Sequence, residues 1–260
     1  MRQVKPYALL PLQFLITIWV WAFAISALTF LVFGGAMLRI VLLPFDRERL
    51  VPIRKLYSIL ARLAIFINPL WSLKIENRNK FSNDRLYVLV SNHQSVMDIL
   101  LLQCLFKHFR WVSKAENFRL PLLGWMMFLV KDIRLERSNP ASFAALMKKC
   151  SHALATGNSL AIFPEGSRST DGEIKRFKDG AFWIALHNKV SILPLVLDNT
   201  LNALPRKGFI IKTRHHMRLR VLNEIPYETF RNMESKEIAA MTRDLIAGEL
   251  QQMRNPSQRV

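Results

Sequence analysis

The hydrophobic and polar positions of this chain divide it into an apolar N-terminal segment and a longer part with mixed patterns. Residues 6–38 contain no charged side chain and are rich in Leu, Ile, Phe, Trp and Ala. Crossing a bilayer takes about 20 apolar residues, so this segment is long enough. The apolar core of a cleavable signal peptide would be shorter, roughly 7 to 15 residues. The pattern therefore predicts a helix inserted in a membrane.

A second apolar stretch, residues 56–73, is interrupted by Arg62, Asn68 and Pro69. These interruptions favour an interfacial or re-entrant helix beside the first one over a second complete span. The chain is therefore predicted to consist of membrane-anchoring helices, residues 1–75, and a globular domain, residues 76–260.

Short apolar runs alternate with helical patterns in the globular domain. Residues 86–90 and 159–163 are typical of buried strands. Helical patterns cover residues 143–155, 178–187 and 235–253. This alternation predicts an α/β fold in which a largely parallel sheet is flanked by helices. Residues 209–222 alternate between polar and apolar and predict an edge hairpin with one polar side.

A group of polar residues follows the first predicted strand. His93 lies on the turn that leaves the strand, and Ser95 with Asp98 predicts the start of a helix over residues 99–106. A turn between strand and helix lets Asp98 reach the imidazole of His93. A carboxylate on one ring nitrogen leaves the other free to take a proton, as in general base catalysis. Alone, this spacing is also compatible with chance.

The second predicted strand leads into residues 164–170, which combine backbone freedom with polar groups. Gly166 permits a tight turn, Ser167 supplies a hydroxyl, and Arg168 supplies a planar fork suited to phosphate. In isolation the stretch is also explained as an ordinary polar turn, with Glu165 and Arg168 forming a weak surface pair.

The two motifs together resemble the glycerolipid acyltransferase family. The outer blocks of the resemblance are Asn92-His93 followed by Asp98, and residues 163–169 about 65 positions later. Ser167 stands where many members have Thr, and Arg134 stands where the family usually has an apolar residue. Two looser blocks lie in the expected order: Lys114, Glu116, Pro121, Gly124, Trp125 and 133–137 between the outer blocks, and 177–181 with 192–195 after them.

The resemblance implies a glycerol-3-phosphate acyltransferase-like fold behind a two-helix membrane anchor. It also implies a membrane-bound enzyme that transfers a fatty acyl group from an acyl thioester to the free hydroxyl of 1-acylglycerol 3-phosphate. His93 would deprotonate this hydroxyl while Asp98 holds the ring. The donor would be acyl-coenzyme A or an acyl carrier protein thioester. The acceptor, a lysophospholipid, would be bound by Arg137, Glu165, Gly166, Ser167, Arg168 and Lys178.

Three alternatives stay open. The acceptor could be another lysophospholipid or an aminolipid precursor, because the motifs do not specify a head group. The protein could be a catalytically silent lipid-binding module, although a tether has no use for His93 and Asp98. Ser95 could act as a nucleophile, but a helix cap explains it better. A separate, structural alternative concerns the apolar residues 120–130, which fit plain core and the lining of an acyl-chain site equally well.

The net charge of +18 favours an anionic partner. An anionic membrane surface fits better than nucleic acid, because the apolar segment already places the chain at a bilayer and no nucleic-acid-binding motif is present. No metal or cofactor is predicted. Cys104 and Cys150 lie in apolar patterns and predict reduced, buried thiols. Basic residues are more frequent after the first apolar segment than before it, which predicts a domain facing the cytoplasm.

Overall fold

The computed structural model describes residues 10–82, 84–136, 140–204, 210–211 and 213–255. The helices are α1 (Leu10–Leu42), α2 (Val51–Phe66), α3 (Met97–Gln103), α4 (Leu123–Leu129), α5 (Pro140–Ala155), α6 (Gly180–Asn188), α7 (Tyr227–Phe230) and α8 (Ser235–Arg254). The strands are β1 (Trp71–Glu76), β2 (Tyr87–Ser91), β3 (Phe109–Lys114), β4 (Ile133–Leu135), β5 (Ser159–Ile162), β6 (Ser191–Asp198) and β7 (His215–Val221).

The described strands form one sheet in the order β1-β7-β6-β2-β5-β3-β4. Neighbouring strands are parallel except for β6 and β7, so the predicted largely parallel sheet is confirmed. Alternate residues of β2 face opposite layers, as the pleat requires. Val88 and Val90 pack with α5, α6 and α8, whereas Tyr87 and Leu89 pack with α2 and α3. Burial on both faces explains why the central strands contain continuous apolar runs.

Helix α1 is 33 residues long and contacts the domain near both of its ends. The Thr17 hydroxyl accepts the backbone N–H of Ile211 at 3.0 Å, and Arg39 Nη1 donates to the carbonyl of Leu129 at 3.0 Å. The outer face of α1 is apolar and exposed. Residues 13–42 are long and apolar enough to cross a membrane, and they form the one such helix in the described part of the chain.

Helix α2 begins and ends earlier than the second apolar stretch predicted. It covers Val51–Phe66, and Trp71 already opens strand β1. Asn68 and Pro69 therefore separate a helix from a strand, and the prediction of one helix through residue 73 is wrong. The predicted boundary after residue 75 falls inside β1.

The predicted edge hairpin at residues 209–222 is also wrong. Strand β7 is a single strand inside the sheet, parallel to β1 on one side and antiparallel to β6 on the other. Its alternating polar residues form ion pairs, with Arg218 bonded to Asp198 and Arg220 to Glu76. Residues 205–209 and 212 lie outside the described residues.

Candidate active site

The candidate site begins where β2 ends, at the centre of the sheet. The side chain of Asn92 bonds to both backbone groups of Leu197 on β6, donating to its carbonyl at 2.8 Å and accepting its N–H at 2.9 Å. These two hydrogen bonds attach the loop after β2 to the neighbouring strand. The next residue, His93, is therefore held at the carboxyl edge of the sheet, where α/β proteins bind ligands.

The predicted contact between His93 and Asp98 is confirmed. Nδ1 of the imidazole lies 2.8 Å from Oδ2 of the fully buried Asp98. The same oxygen accepts the backbone N–H groups of Gln94 at 2.6 Å and Ser95 at 2.8 Å. Because a carboxylate only accepts hydrogen bonds, Nδ1 carries the ring proton and Nε2 can accept one.

Helix α3 starts at Met97, with Val96 as its capping residue, so the predicted cap at Ser95 is displaced by one position. The hydrogen bonds expected of the cap are nevertheless partly present, since the Ser95 hydroxyl accepts the N–H of Met97 at 3.3 Å. The helix ends at Gln103 instead of residue 106. The hydrogen bond between the Met97 N–H and the Ser95 hydroxyl gives Ser95 a structural role.

Glu165 connects the second motif to the first. Its Oε1 accepts the backbone N–H of His93 at 2.7 Å, and its Oε2 accepts the N–H of Lys175 at 3.2 Å. In return, the carbonyl of His93 accepts the N–H of Ser169 at 2.7 Å. Burial raises the pKa of Glu165, while these hydrogen bonds favour its carboxylate. Both carboxylate oxygens of Glu165 thus hold backbone groups of the site itself.

Two aromatic rings support the imidazole, and sequence reasoning did not identify them. Phe163 stacks on His93 with ring centroids 3.9 Å apart and an angle of 7° between the planes. Trp111 in turn stacks on Phe163, with ring centroids 5.2 Å apart. The one signal in the sequence is the position of Phe163, directly before the second motif. Stacking and the Asp98 bond together fix the plane of the imidazole.

A pocket of about 420 Å³ opens beside His93. Its polar part is lined by Gly166, Ser167 and Arg168, and the last two are exposed. Gly166 has φ +69°, a conformation that favours glycine. Lys175 Nζ donates to the carbonyl of Arg168 at 2.9 Å and to the Ser167 hydroxyl at 3.3 Å. Lys175 therefore shapes this loop, a role that sequence reasoning missed.

The other part of the pocket is apolar. It is lined by Leu120, Leu123, Met126 and Met127, of which the two methionines are buried. The apolar residues 120–130 thus contribute to the core and to the pocket wall at once.

Asp132, Tyr57 and Lys114 also line the pocket. Burial raises the pKa of Asp132 to about 6, although Arg54 lies 3.6 Å away and favours its ionised form.

Among the predicted binding residues, Lys178 does not line this pocket, and Arg137 lies outside the part of the chain that the structure describes. Lys178 donates its backbone N–H to the carbonyl of Pro164 at 2.9 Å, but its exposed side chain lines another depression, beside Lys236 and Arg243. The structure therefore groups His93, Asp98 and residues 165–168, and places Lys178 apart from them.

Comparison with known protein families gives this site a context. The family described as Acyltransferase matches residues 72–198, a segment that contains His93, Asp98 and the 163–169 loop. The resemblance to an acyltransferase family that the motifs predicted is therefore confirmed.

Individual relatives show the same resemblance. The chloroplastic 1-acyl-sn-glycerol-3-phosphate acyltransferase LPAT1 of Arabidopsis thaliana is 39% identical over 155 residues, covering 58% of this chain and 44% of the relative. The 1-acyl-sn-glycerol-3-phosphate acyltransferase of Helicobacter pylori is 33% identical over 132 residues, covering 49% and 56%. The chain spans about half the length of these curated relatives.

A solved structure confirms the fold. The crystal structure of the 1-acyl-sn-glycerophosphate acyltransferase PlsC from Thermotoga maritima matches with a TM-score of 0.77 at 23% identity. The match covers 94% of this chain and 96% of the other, so it includes the N-terminal helices as well as the sheet.

Proposed function

We propose that this protein is a membrane-bound acyltransferase that converts 1-acylglycerol 3-phosphate to phosphatidic acid with an acyl thioester as donor. One observation carries the proposal: the imidazole of His93, oriented by Asp98, faces a pocket with Arg168 on its polar side and apolar residues on the other. A lysophosphatidate has the same division, with a phosphate and hydroxyl at one end and an acyl chain at the other. The names of the curated relatives support this acceptor.

The reaction needs one base and no covalent enzyme intermediate. Nε2 of His93 takes the proton from the acceptor hydroxyl as its oxygen attacks the thioester carbonyl. A carbon–oxygen bond forms and the carbon–sulfur bond breaks. The departing thiolate takes up the proton that His93 returns and leaves as a thiol. Asp98 stabilises the imidazolium that exists between these steps. We assign Arg168 to the acceptor phosphate, because its exposed guanidinium can donate two hydrogen bonds there.

We assign Glu165 a positioning role instead of the acceptor contact expected from the sequence, since its two oxygens already accept backbone N–H groups. The assignment of Lys178 to the acceptor loses support, because its side chain lines another depression and not the His93 pocket. Arg137 keeps its assignment from the resemblance alone.

A panel of lysolipid acceptors offered with one labelled acyl donor tests the proposal. We expect transfer to 1-acylglycerol 3-phosphate in preference to lysophosphatidylglycerol and to aminolipid precursors. Offering the acyl group on coenzyme A and on acyl carrier protein in parallel identifies the donor. Transfer to a different head group would select the alternative acceptor. Transfer to none would favour a silent lipid-binding module.

We also propose that the catalytic domain lies on the cytoplasmic side of the membrane. Five basic residues follow the apolar part of α1, at positions 39, 47, 49, 54 and 55, whereas two precede it. This excess of positive charge is typical of cytoplasmic flanks. Protease treatment of sealed, oriented membrane vesicles tests the assignment, and the domain should be digested when the cytoplasmic face is outside.

A further inference from the structure

Helix α4 presents an apolar face to the outside of the molecule. Trp125 and Phe128 are 53% and 54% exposed, and Leu120, just before the helix, is 48% exposed. Residues 120–130 contain no charged side chain. A helix on the surface of a soluble domain normally turns charged and polar residues outward. The outer face of α4 therefore has the composition of a surface that contacts another apolar phase.

The inner side of α4 packs on α1. Met126, Met127 and Leu129 form one cluster with Leu31 and Val32 of α1. At Gly35 the two helices approach so closely that an added Cβ would lie 2.7 Å from a methyl carbon of Leu129. Helix α4 is thus fixed beside the C-terminal turns of α1.

The same turns of α1 are apolar on their outer side. Phe33, Met37 and Ile40 are 59%, 72% and 69% exposed. They belong to the segment that is long and apolar enough to cross a membrane. The exposed apolar residues of α4 therefore adjoin the part of the chain assigned to lipid.

We propose that α4 inserts Trp125 and Phe128 into the same lipid surface that holds α1. The partner is a bilayer that contains anionic phospholipid, and the inference rests on the membrane association in the proposed function. Aromatic residues are enriched at the membrane–water interface. The exposed Arg119, directly before the apolar residues, adds a positive charge that attracts anionic head groups.

This placement has a consequence for substrate entry. Leu120 and Leu123 line the pocket that contains His93, and the exposed Val96 lines it as well. If α4 is seated in lipid, the edge of the pocket formed by Leu120, Leu123 and Val96 lies at the bilayer surface. A lysolipid acceptor then reaches the pocket by lateral movement from the leaflet, without carrying its acyl chain through water.

Fluorescence quenching tests the insertion directly. The full-length protein carries W19F and W21F, which remove the tryptophans of α1, and is placed in vesicles whose lipids have brominated acyl chains. Trp71 and Trp111 are buried, and Trp183 packs against Phe143 and His187, so these three tryptophans serve as a constant background. We expect quenching that disappears when W125F is added. Equal quenching with and without Trp125 would overturn the proposal.

Activity measurements test the consequence separately. The double variant W125S/F128S is compared with F143S/L245S, in which exposed apolar residues of α5 and α8 are changed. With a long-chain acceptor in vesicles, kcat/KM of the α4 variant should fall about tenfold, because large apolar areas no longer contact lipid. With a short-chain acceptor dissolved as monomers, kcat/KM should stay near the wild-type value.

The outcomes separate docking from catalysis. Equal loss with both acceptors would indicate damage to the pocket and overturn the proposal. So would a change in oligomeric state of the α4 variant in detergent, because a second copy would then cover this face. A wild-type protein inactive with both acceptors would count against the proposed function, while the quenching experiment would still decide whether α4 enters lipid.

Discussion

Replacing Glu165 by Gln is the sharpest test of how the two motifs cooperate. The carboxylate accepts two backbone N–H groups, from His93 at 2.7 Å and from Lys175 at 3.2 Å, and it is only 5% exposed. An amide offers one oxygen, and its NH₂ group would face the second N–H as a competing donor. The variant therefore loses at least one charge-assisted hydrogen bond.

The magnitude follows from that bond. A hydrogen bond to a charged group contributes about 1.5–3 kcal/mol. If this energy holds the imidazole in its reactive position, kcat should fall roughly 10- to 150-fold, because about 1.4 kcal/mol corresponds to a factor of ten. The KM for the acceptor should stay nearly constant, because Glu165 touches the protein and not the substrate.

The assay is steady-state transfer from a labelled acyl thioester, with the acceptor concentration varied at saturating donor. Glu173→Gln is the matched control, because Glu173 belongs to the same loop and is highly exposed. It should leave kcat and KM unchanged. A Glu165→Gln variant with normal kcat and a raised acceptor KM would refute the positioning role and restore the direct acceptor contact expected from the sequence.

Three further predictions concern the same site. His93→Ala should lower kcat more than about a hundredfold with fold and membrane association retained, and Asp98→Asn should lower it less, which single-turnover kinetics can compare; near-normal turnover of His93→Ala would exclude the base mechanism. Arg168→Lys should raise KM for the lysolipid more than it lowers kcat, because lysine keeps the charge but not the fork; a raised KM for the thioester alone would assign Arg168 to the donor. Burial raises the pKa of Glu165, so as the pH falls it takes up a proton earlier than an exposed glutamate and its bond to His93 weakens. Glu165→Gln carries no such proton, so its activity, normalised to its own maximum, should decline less steeply at acid pH; an acid limb as steep as that of wild type would contradict this.

The local features of the fold could be predicted from the sequence. Strands β2 and β5 are short apolar runs, and the contact between His93 and Asp98 needs only the turn between a strand and the next helix. These features depend on neighbouring residues, which a local pattern records. The predicted parallel sheet likewise followed from the alternation of strands and helices.

Features that depend on strand order could not be predicted in this way. Pairing of β2 with β5, with Val90 opposite Ile162, is what brings Glu165 and Phe163 to His93. Strand β7 resembled an edge because its outer neighbour, β1, was assigned to the anchor. Both of these features depend on strand partners that are distant in sequence.

The attachment of α1 at two points has a mechanical consequence. Thr17 and Arg39 are bonded to the domain, and at 1.5 Å per residue they are about 33 Å apart along the helix. A helix held at both positions cannot pivot as a flexible tether. Its tilt and depth in lipid are transmitted to the sheet that carries His93. A foreign apolar helix of equal length would therefore restore membrane attachment without restoring the height of the pocket above the leaflet.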